Sequence, residues 1–427
     1  MAEKLSKVPA TGMRDILPGE MKLRDYVLGI IRDTYEGYGF ETIETPAVEN
    51  LANLNCKAGG DNEKLTFKIL KRGEKLRIPE AKTEKDLSDL GLRYDLTVPL
   101  VRYYANHASE LPSPFKALQY GNVFRADRPQ KGRFRQFMQC DIDILGEESN
   151  QAETELILAT AKALGRLRFV KFEIRINDRR ILKAMAAYSG FAESEMDDVF
   201  IRLDKMDKIG RDGVARELTE HGYPAEKVEK YLGLFDSCAR SADPVWYITE
   251  KVQKYMDPSV KEEFKRLIET VNSLKGDYFD LVFDPTLVRG MSYYTGTIFE
   301  VVSDELESSL GGGGRYDALV EKFTGQRVPA CGFSLGFERI ILLMSERGFK
   351  VPEEKPKIAY LLEKGLSGEN YIQVLSEVEE LRRKGSQVLV VTMHKNKKHQ
   401  KEQLNERGYS DIVEIYNEPL EPAVPKL

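Results

Sequence analysis

Leu23, Tyr26, Val27, Ile30, Ile31 and Thr34 recur at three- and four-residue spacing, which predicts an amphipathic helix stopped by Gly37 and Gly39. The next segment, FETIETPAVE, reads as a strand; Pro46 inside it has no N–H to donate and confines that strand to an edge or an interface. FKALQYGNVFR and FMQCDIDILG are also strand-like, and the turn-rich, basic DRPQKGR joins them, so an antiparallel pair is expected rather than a βαβ unit. From about Asn177 to Lys275 the pattern becomes helical and highly charged (ILKAMAAYSG, MDDVFIRLDKM, VEKYLGLFDSCA, VKEEFKRLIETVNSL). Strand-like sequence resumes at YFDLVFD, MSYYTGTIFEVVS and CGFSLGF, which makes the helical stretch an insertion. Beyond Pro352, KIAYLLE, QVLVVTM and DIVEIY read as strands separated by helices ending in EVEELRRKG and KNKKHQKEQLNERG. That alternation predicts a small domain of parallel strands connected right-handedly. The expected fold is α+β: an antiparallel core in two parts (1–176 and 276–350), a helical insertion (177–275) and a small C-terminal α/β domain (351–427).

With 427 residues, 41% hydrophobic and 31% charged, the chain is long enough for two or three domains and has the composition of a soluble globular protein. No stretch approaches the roughly 18 apolar residues of a membrane span, and the charged opening MAEKLSKVPATGMRDILPGE does not resemble a secretory signal. A soluble, cytoplasmic protein without a membrane partner is expected. Cys56, Cys140, Cys238 and Cys331 form no C-x-x-C pair and are expected to be reduced thiols; no zinc site is expected from them or from the four histidines. The net charge of −5 gives no global basic field. Basic residues cluster locally, at Arg125, Arg128, Lys131, Arg133 and Arg135, and again at Lys395, Lys397, Lys398 and Lys401.

Three segments carry candidate chemistry. In the first, Arg125 to Arg135 is followed by Phe137; guanidinium forks suit phosphate oxygens and an aromatic ring suits a nucleobase. In the second, Leu287-Val288-Arg289-Gly290-Met291-Ser292-Tyr293-Tyr294 sets an arginine among apolar residues, where it must reach solvent or an anion in a cleft. Gly311-Gly312-Gly313-Gly314-Arg315-Tyr316-Asp317 follows, and four glycines imply a tight bend or a close approach to the backbone. The third, GFSLGFERIILL, reads as a strand turning into a buried helix with Arg339 at its start.

In this order the segments resemble the class II aminoacyl-tRNA synthetases, and within them the histidyl-tRNA synthetases. GFETIETPAVE is similar to the first class motif, FRADRPQKGRFRQF to the second and GFSLGFER to the third, while LVRGMSYYTG and GGGGRYD resemble the two histidine-specific signatures. The resemblance runs from GMRDILP (Gly12 to Pro18) to Arg339. It implies a homodimer formed around Pro46, and ligation of L-histidine to tRNA(His) through an adenylate made from ATP, with Mg2+ on the pyrophosphate. Arg125 and Arg289 would flank the α-phosphate as catalytic residues. Phe137 and Arg339 would enclose adenine, and Arg133 would reach the terminal phosphates. Asp143 and Tyr294, beside Tyr293, would bind the imidazole, and Asp95, Thr97 and Gln139 the α-amino group. Arg128, Gln130 and Lys131 would enter the acceptor stem, Gln130 near the extra 5′ guanosine. The chain departs from the family pattern at Ala126-Asp127, at Ser292 and in its short C-terminal domain. A catalytically silent, histidine-sensing regulatory paralogue is the alternative; a plain nucleic-acid-binding protein would leave both histidine signatures without purpose.

Overall fold

The structure, a computed structural model, describes residues 5–56, 65–128, 134–288, 293–352 and 355–417. The chain divides into two compact units, Met1–Phe349 and Lys350–Leu427.

The first unit is built on an eight-stranded sheet. Its strands are β1 (Glu41–Thr42), β5 (Phe115–Phe124), β6 (Gln136–Leu145), β7 (Phe172–Asp178), β8 (Phe279–Phe283), β9 (Thr297–Ser303), β10 (Leu306–Arg315) and β11 (Ala330–Leu335), in the order β1-β5-β6-β11-β10-β9-β7-β8. Pairing is antiparallel except at the two edges, where β1–β5 and β7–β8 are parallel. A second, three-stranded antiparallel sheet joins β2 (Val48–Asn50), β4 (Ser88–Leu92) and β3 (Lys68–Leu70). The segment expected as one strand around Pro46 is thus two: β1 at the edge of the large sheet and β2 in the small one. Proline cannot continue a hydrogen-bonded ladder, so the chain changes sheet across it.

Helix α1 (Pro18–Glu36) begins with proline at its first position, where no N–H is needed, and buries Leu23, Val27, Ile31 and Tyr35 along one stripe. Burying Leu23, Val27 or Ile31 stabilises the fold by about 1.5–3 kcal/mol each. Gly39 closes the turn after it at φ +80°, a left-handed conformation that a side chain would strain. Helix α2 (Thr97–His107) precedes β5, and α3 (Gln151–Arg166) packs between α1 and β11. Asp178, at the end of β7, accepts from the Arg180 N–H at 2.8 Å and so caps α4 (Arg179–Tyr188). Helices α5 (Glu193–Leu203), α6 (Met206–Glu220), α7 (Ala225–Ala239), α8 (Pro244–Val252) and α9 (Pro258–Leu274) follow before the chain re-enters the sheet at β8. Helix α10 (Asp317–Thr324) leads to β11, and α11 (Phe337–Glu346) follows it.

Of the two expectations for the four-glycine segment, a tight bend or a close approach to the backbone, the second holds: the segment is strand, not a bend. Gly311–Gly314 pair with β9 on one side and β11 on the other. Glycine is required there by close approach. A Cβ on Gly314 would lie 2.6 Å from the Thr297 carbonyl oxygen, and one on Gly313 would meet the Gly332 carbonyl. The expected strand start around Met291 is also later than read, since β9 begins at Thr297. Leu287 and Val288 are buried, pinned by the Asn177 amide donating to the Pro285 and Leu287 carbonyls at 3.2 and 3.0 Å.

The second unit is a parallel sheet of order β13 (Gln387–Thr392), β12 (Lys357–Leu362), β14 (Asp411–Ile415), with α12 (Gly368–Arg383) and α13 (Lys397–Glu406). Tyr360 and Leu362 pack with Val374 and Val378 of α12 on one face; Ala359 and Leu361 pack with Leu404 and Tyr409 on the other. Burial on both faces explains the unbroken apolar run of β12. In the lysine cluster, Lys397 and Lys401 are ion-paired with Glu414. None of the four cysteines, all of them among the described residues, is in a disulfide.

Candidate active site

Period-two alternation on β6 sends Gln139, Asp141 and Asp143 to one face of the sheet, while Cys140, Ile142 and Ile144 are buried on the other. The three polar side chains line a cavity of about 280 Å³. The glycines Gly311 to Gly313 form part of its wall, and the bare β10 backbone gives it room.

At one end lie carboxylates. Asp143 is 3% exposed, and the buried Tyr316 hydroxyl donates to its Oδ1 at 2.6 Å. Gly332 is its cross-strand neighbour, and a Cβ there would collide with the same oxygen. Asp141 is equally buried; burial first, then the charge of Asp143, pushes its carboxyl well above the usual range. Asp95 accepts from the Val98 N–H at 3.1 Å, which fixes it at the start of α2 beside Thr97. The Tyr293 and Tyr294 rings, 4.6 Å apart, close this end, with Tyr293 edge-on to Tyr316 at 6.2 Å.

At the other end lie arginines and aromatic rings. The Arg125 Nε donates to the Tyr94 carbonyl at 2.9 Å, and its guanidinium sits 5.1 Å above the Phe137 ring. Arg339, in the first turn of α11, donates to the Ser309 carbonyl. Its neighbour Glu338 takes a bidentate pair from Arg24 of α1, 2.7 Å at each oxygen, a third contact from Arg14 at 3.2 Å and the Met138 N–H at 3.1 Å. Burial opposes the Glu338 charge most strongly, yet Arg24, the Met138 N–H and Arg14 together outweigh it and hold the carboxyl below its ordinary range. Arg14 also stacks on Phe134 at 4.6 Å, so the GMRDILP segment braces this end of the cavity.

The cavity therefore gathers Asp95, Thr97, Arg125, Phe137, Gln139, Asp143, Tyr293, Tyr294 and Arg339, which are drawn from five separate stretches of chain. Arg128 is exposed and is not among the lining residues. Gln130, Lys131, Arg133 and Arg289 lie outside the described residues. Arg135, read as part of the basic run, instead donates to the Asp127 and Thr11 carbonyls at 3.1 and 3.3 Å. Asp141, Tyr316, Ser334 and Glu338 were not singled out from the sequence. Asp141 was legible, since it shares the alternation of Gln139 and Asp143. The Tyr316 contact was not, since 173 residues separate it from Asp143. Arg315, beside it, is turned elsewhere: it holds Glu153 bidentately at 2.7 and 2.8 Å and ties β10 to α3.

An acidic end suits an ammonium and a neutral imidazole; a cationic end suits phosphates. The family model described as histidyl-tRNA synthetase matches residues 12–340, the stretch that builds this cavity. The chain belongs to the histidyl-tRNA synthetase family. It is 47% identical over 346 residues to a histidine–tRNA ligase of Leifsonia xyli subsp. xyli, covering 79% of this chain and 80% of that protein. A probable histidine–tRNA ligase of Tropheryma whipplei is 44% identical over 351 residues, with the same coverage. Among solved structures, a histidyl-tRNA synthetase from Nostoc matches with a TM-score of 0.77 at 27% identity, over 95% of this chain and 90% of that one. A Bacillus halodurans chain described as an ATP phosphoribosyltransferase regulatory subunit/histidyl-tRNA synthetase has the same TM-score at 21% identity, covers 96% and 99%, and speaks to the fold alone. The class II fold implied by the motifs is thus the fold of the family's solved members.

Proposed function

We propose that this cavity is where the enzyme activates histidine, with the amino acid at the carboxylate end and ATP at the arginine end. Family membership makes the chain an aminoacyl-tRNA ligase for histidine. The observation that carries the site assignment is the gathering of Asp95, Asp143 and Tyr294 with Arg125 and Arg339 around one cavity.

In this reading Asp143 accepts one imidazole N–H and the Tyr294 hydroxyl meets the other nitrogen, while Asp95, Thr97 and Gln139 hold the α-ammonium. A histidine carboxylate oxygen attacks the α-phosphorus of ATP in line. The α–β phosphoanhydride bond breaks, and pyrophosphate leaves with both electrons of that bond. Two anions must approach, so the residues act by positioning and by cationic stabilisation. Arg125 bridges carboxylate and α-phosphate, Arg289 covers the other side of that phosphate, and Arg133 reaches the terminal phosphates. Phe137 and Arg339 enclose adenine. Mg2+ arrives with ATP on the pyrophosphate, as part of the substrate. The 3′-terminal ribose of tRNA(His) then attacks the acyl carbon and AMP leaves. Arg128, Gln130 and Lys131 approach the acceptor stem, and the second unit contacts the anticodon arm. The same reading includes an insertion domain at 177–275, a homodimer joined around Pro46 and a cytoplasmic location. Among the described residues no helix is long and apolar enough to cross a membrane.

The regulatory alternative is set aside, because the relatives at 47% and 44% identity are ligases by name. The test is histidine-dependent exchange of labelled pyrophosphate into ATP. Wild type should exchange, and Arg289→Ala should lose about a thousandfold, as loss of a transition-state contact does. No exchange by wild type sinks the reading; near-normal exchange by Arg289→Ala removes only that residue's role.

A further inference from the structure

The Gln139 side chain is 9% exposed, lines the cavity, and its Oε1 has no hydrogen-bond partner among the described residues. Its Nε2 is fully engaged. It donates to the Ser334 hydroxyl at 2.8 Å and faces the two Asp141 carboxylate oxygens at 3.4 and 3.5 Å. Ser334 and Asp141 are cross-strand neighbours on β11 and β6, and the serine favours the ionised carboxylate. An amide offers two donors on nitrogen and an acceptor on oxygen, and the two ends have nearly the same shape. Serine tolerates either end, because a hydroxyl both donates and accepts. An ionised carboxylate, the form that a substrate ammonium favours, does not: rotating the amide by half a turn would set Oε1 against the Asp141 oxygens, acceptor against acceptor.

We propose that Asp141 is a positioning residue that decides which way the Gln139 amide points, presenting its carbonyl to the cavity as an acceptor for the substrate's α-ammonium. The idea rests on the histidine-activating reading above and adds a specificity device to it. A buried carbonyl without a partner is costly until a donor arrives, so a ligand that brings an N–H is favoured over one that does not. Burial, Asp143 and Asp95 push Asp141 toward protonation, whereas Ser334 and Arg125 favour the ionised form. A substrate ammonium adds to the second group.

The test compares two inhibitors of histidine-dependent pyrophosphate exchange: L-histidinol and 3-(imidazol-4-yl)propan-1-ol, which lacks only the amino group. The readout is the ratio of their inhibition constants in wild type, Asp141→Asn, Gln139→Met and the double substitution. Asp141→Asn should cut the preference for histidinol about tenfold, since an asparagine amide no longer discriminates between the two orientations. Gln139→Met should cut it similarly. In the double substitution the Asp141 change should add nothing, because no amide remains to be oriented. An unchanged ratio in Asp141→Asn overturns the proposal. So does an undiminished effect of that change in the Gln139→Met background, which would mean that Asp141 acts through its charge alone. If Asp141→Asn does not fold, Asp141→Ser carries the same cycle. Absence of exchange in wild type would instead count against the histidine-activating reading, so the two failures are distinguishable.

Discussion

At the scale of single residues, the acidic end of the cavity is held by contacts that oppose stability as well as support binding. Tyr316 donates to Asp143 at 2.6 Å, and a hydrogen bond to a charged group is worth about 1.5–3 kcal/mol. Tyr316→Phe should therefore raise the KM for histidine about tenfold and leave the KM for ATP unchanged in pyrophosphate exchange. Asp141 works the other way on the fold. Its carboxyl is pushed up by burial and by Asp143, so the folded chain resists its ionisation more than the unfolded chain does. Stability is then lost as pH rises from the ordinary carboxyl range through the raised folded value. Asp141→Asn removes that loss. Its melting temperature should exceed wild type by more at pH 7 than at pH 4, and equal gains at both would contradict the assignment.

At the scale of elements, β10 shows how a strand without side chains serves a site. Its glycines let β11 and β9 approach, and the Arg315–Glu153 pair anchors its end, next to the Tyr316 whose hydroxyl reaches Asp143. In Gly313→Ala the new methyl meets the Gly332 carbonyl, with the Phe333 Cα only 2.9 Å away. Backbone atoms cannot rotate aside as a side chain can. Overpacking of this kind costs about 1–3 kcal/mol, and urea unfolding should place the substitution at the upper end of that range. The helical segment α4–α9 illustrates the opposite case, where regular periodicity made the elements plain. Its stripes, such as Val260, Phe264, Leu267 and Val271 of α9, are visible at helical spacing without any knowledge of what they pack against.

At the scale of the whole molecule, every residue lining the cavity belongs to the first unit. A chain ending at Phe349 should keep histidine-dependent pyrophosphate exchange within about twofold of the full chain, by the independence of separate cores. Charging of tRNA by the same fragment should fall much further, measured as histidine acceptance at limiting tRNA. A parallel collapse of both activities would show that the second unit supports the first.

The sequence alone determined what depends on neighbours along the chain. Helix and strand periods, the antiparallel hairpin β5–β6, the β-α-β-α-β order of the second unit and the family motifs were all readable there, because alternation and turn chemistry are local. Pro46 was legible as a breaker, but not the change of sheet it enforces, which depends on the ladders available on either side. Only the tertiary structure decided that the four glycines form a strand, because their need is set by the Thr297 and Gly332 carbonyls arriving from other strands. It also decided which carboxylates share the cavity, which one Tyr316 holds, and that Arg24 neutralises Glu338 across 314 residues. Such contacts join positions far apart in the chain, and their strength comes from burial that no local pattern records.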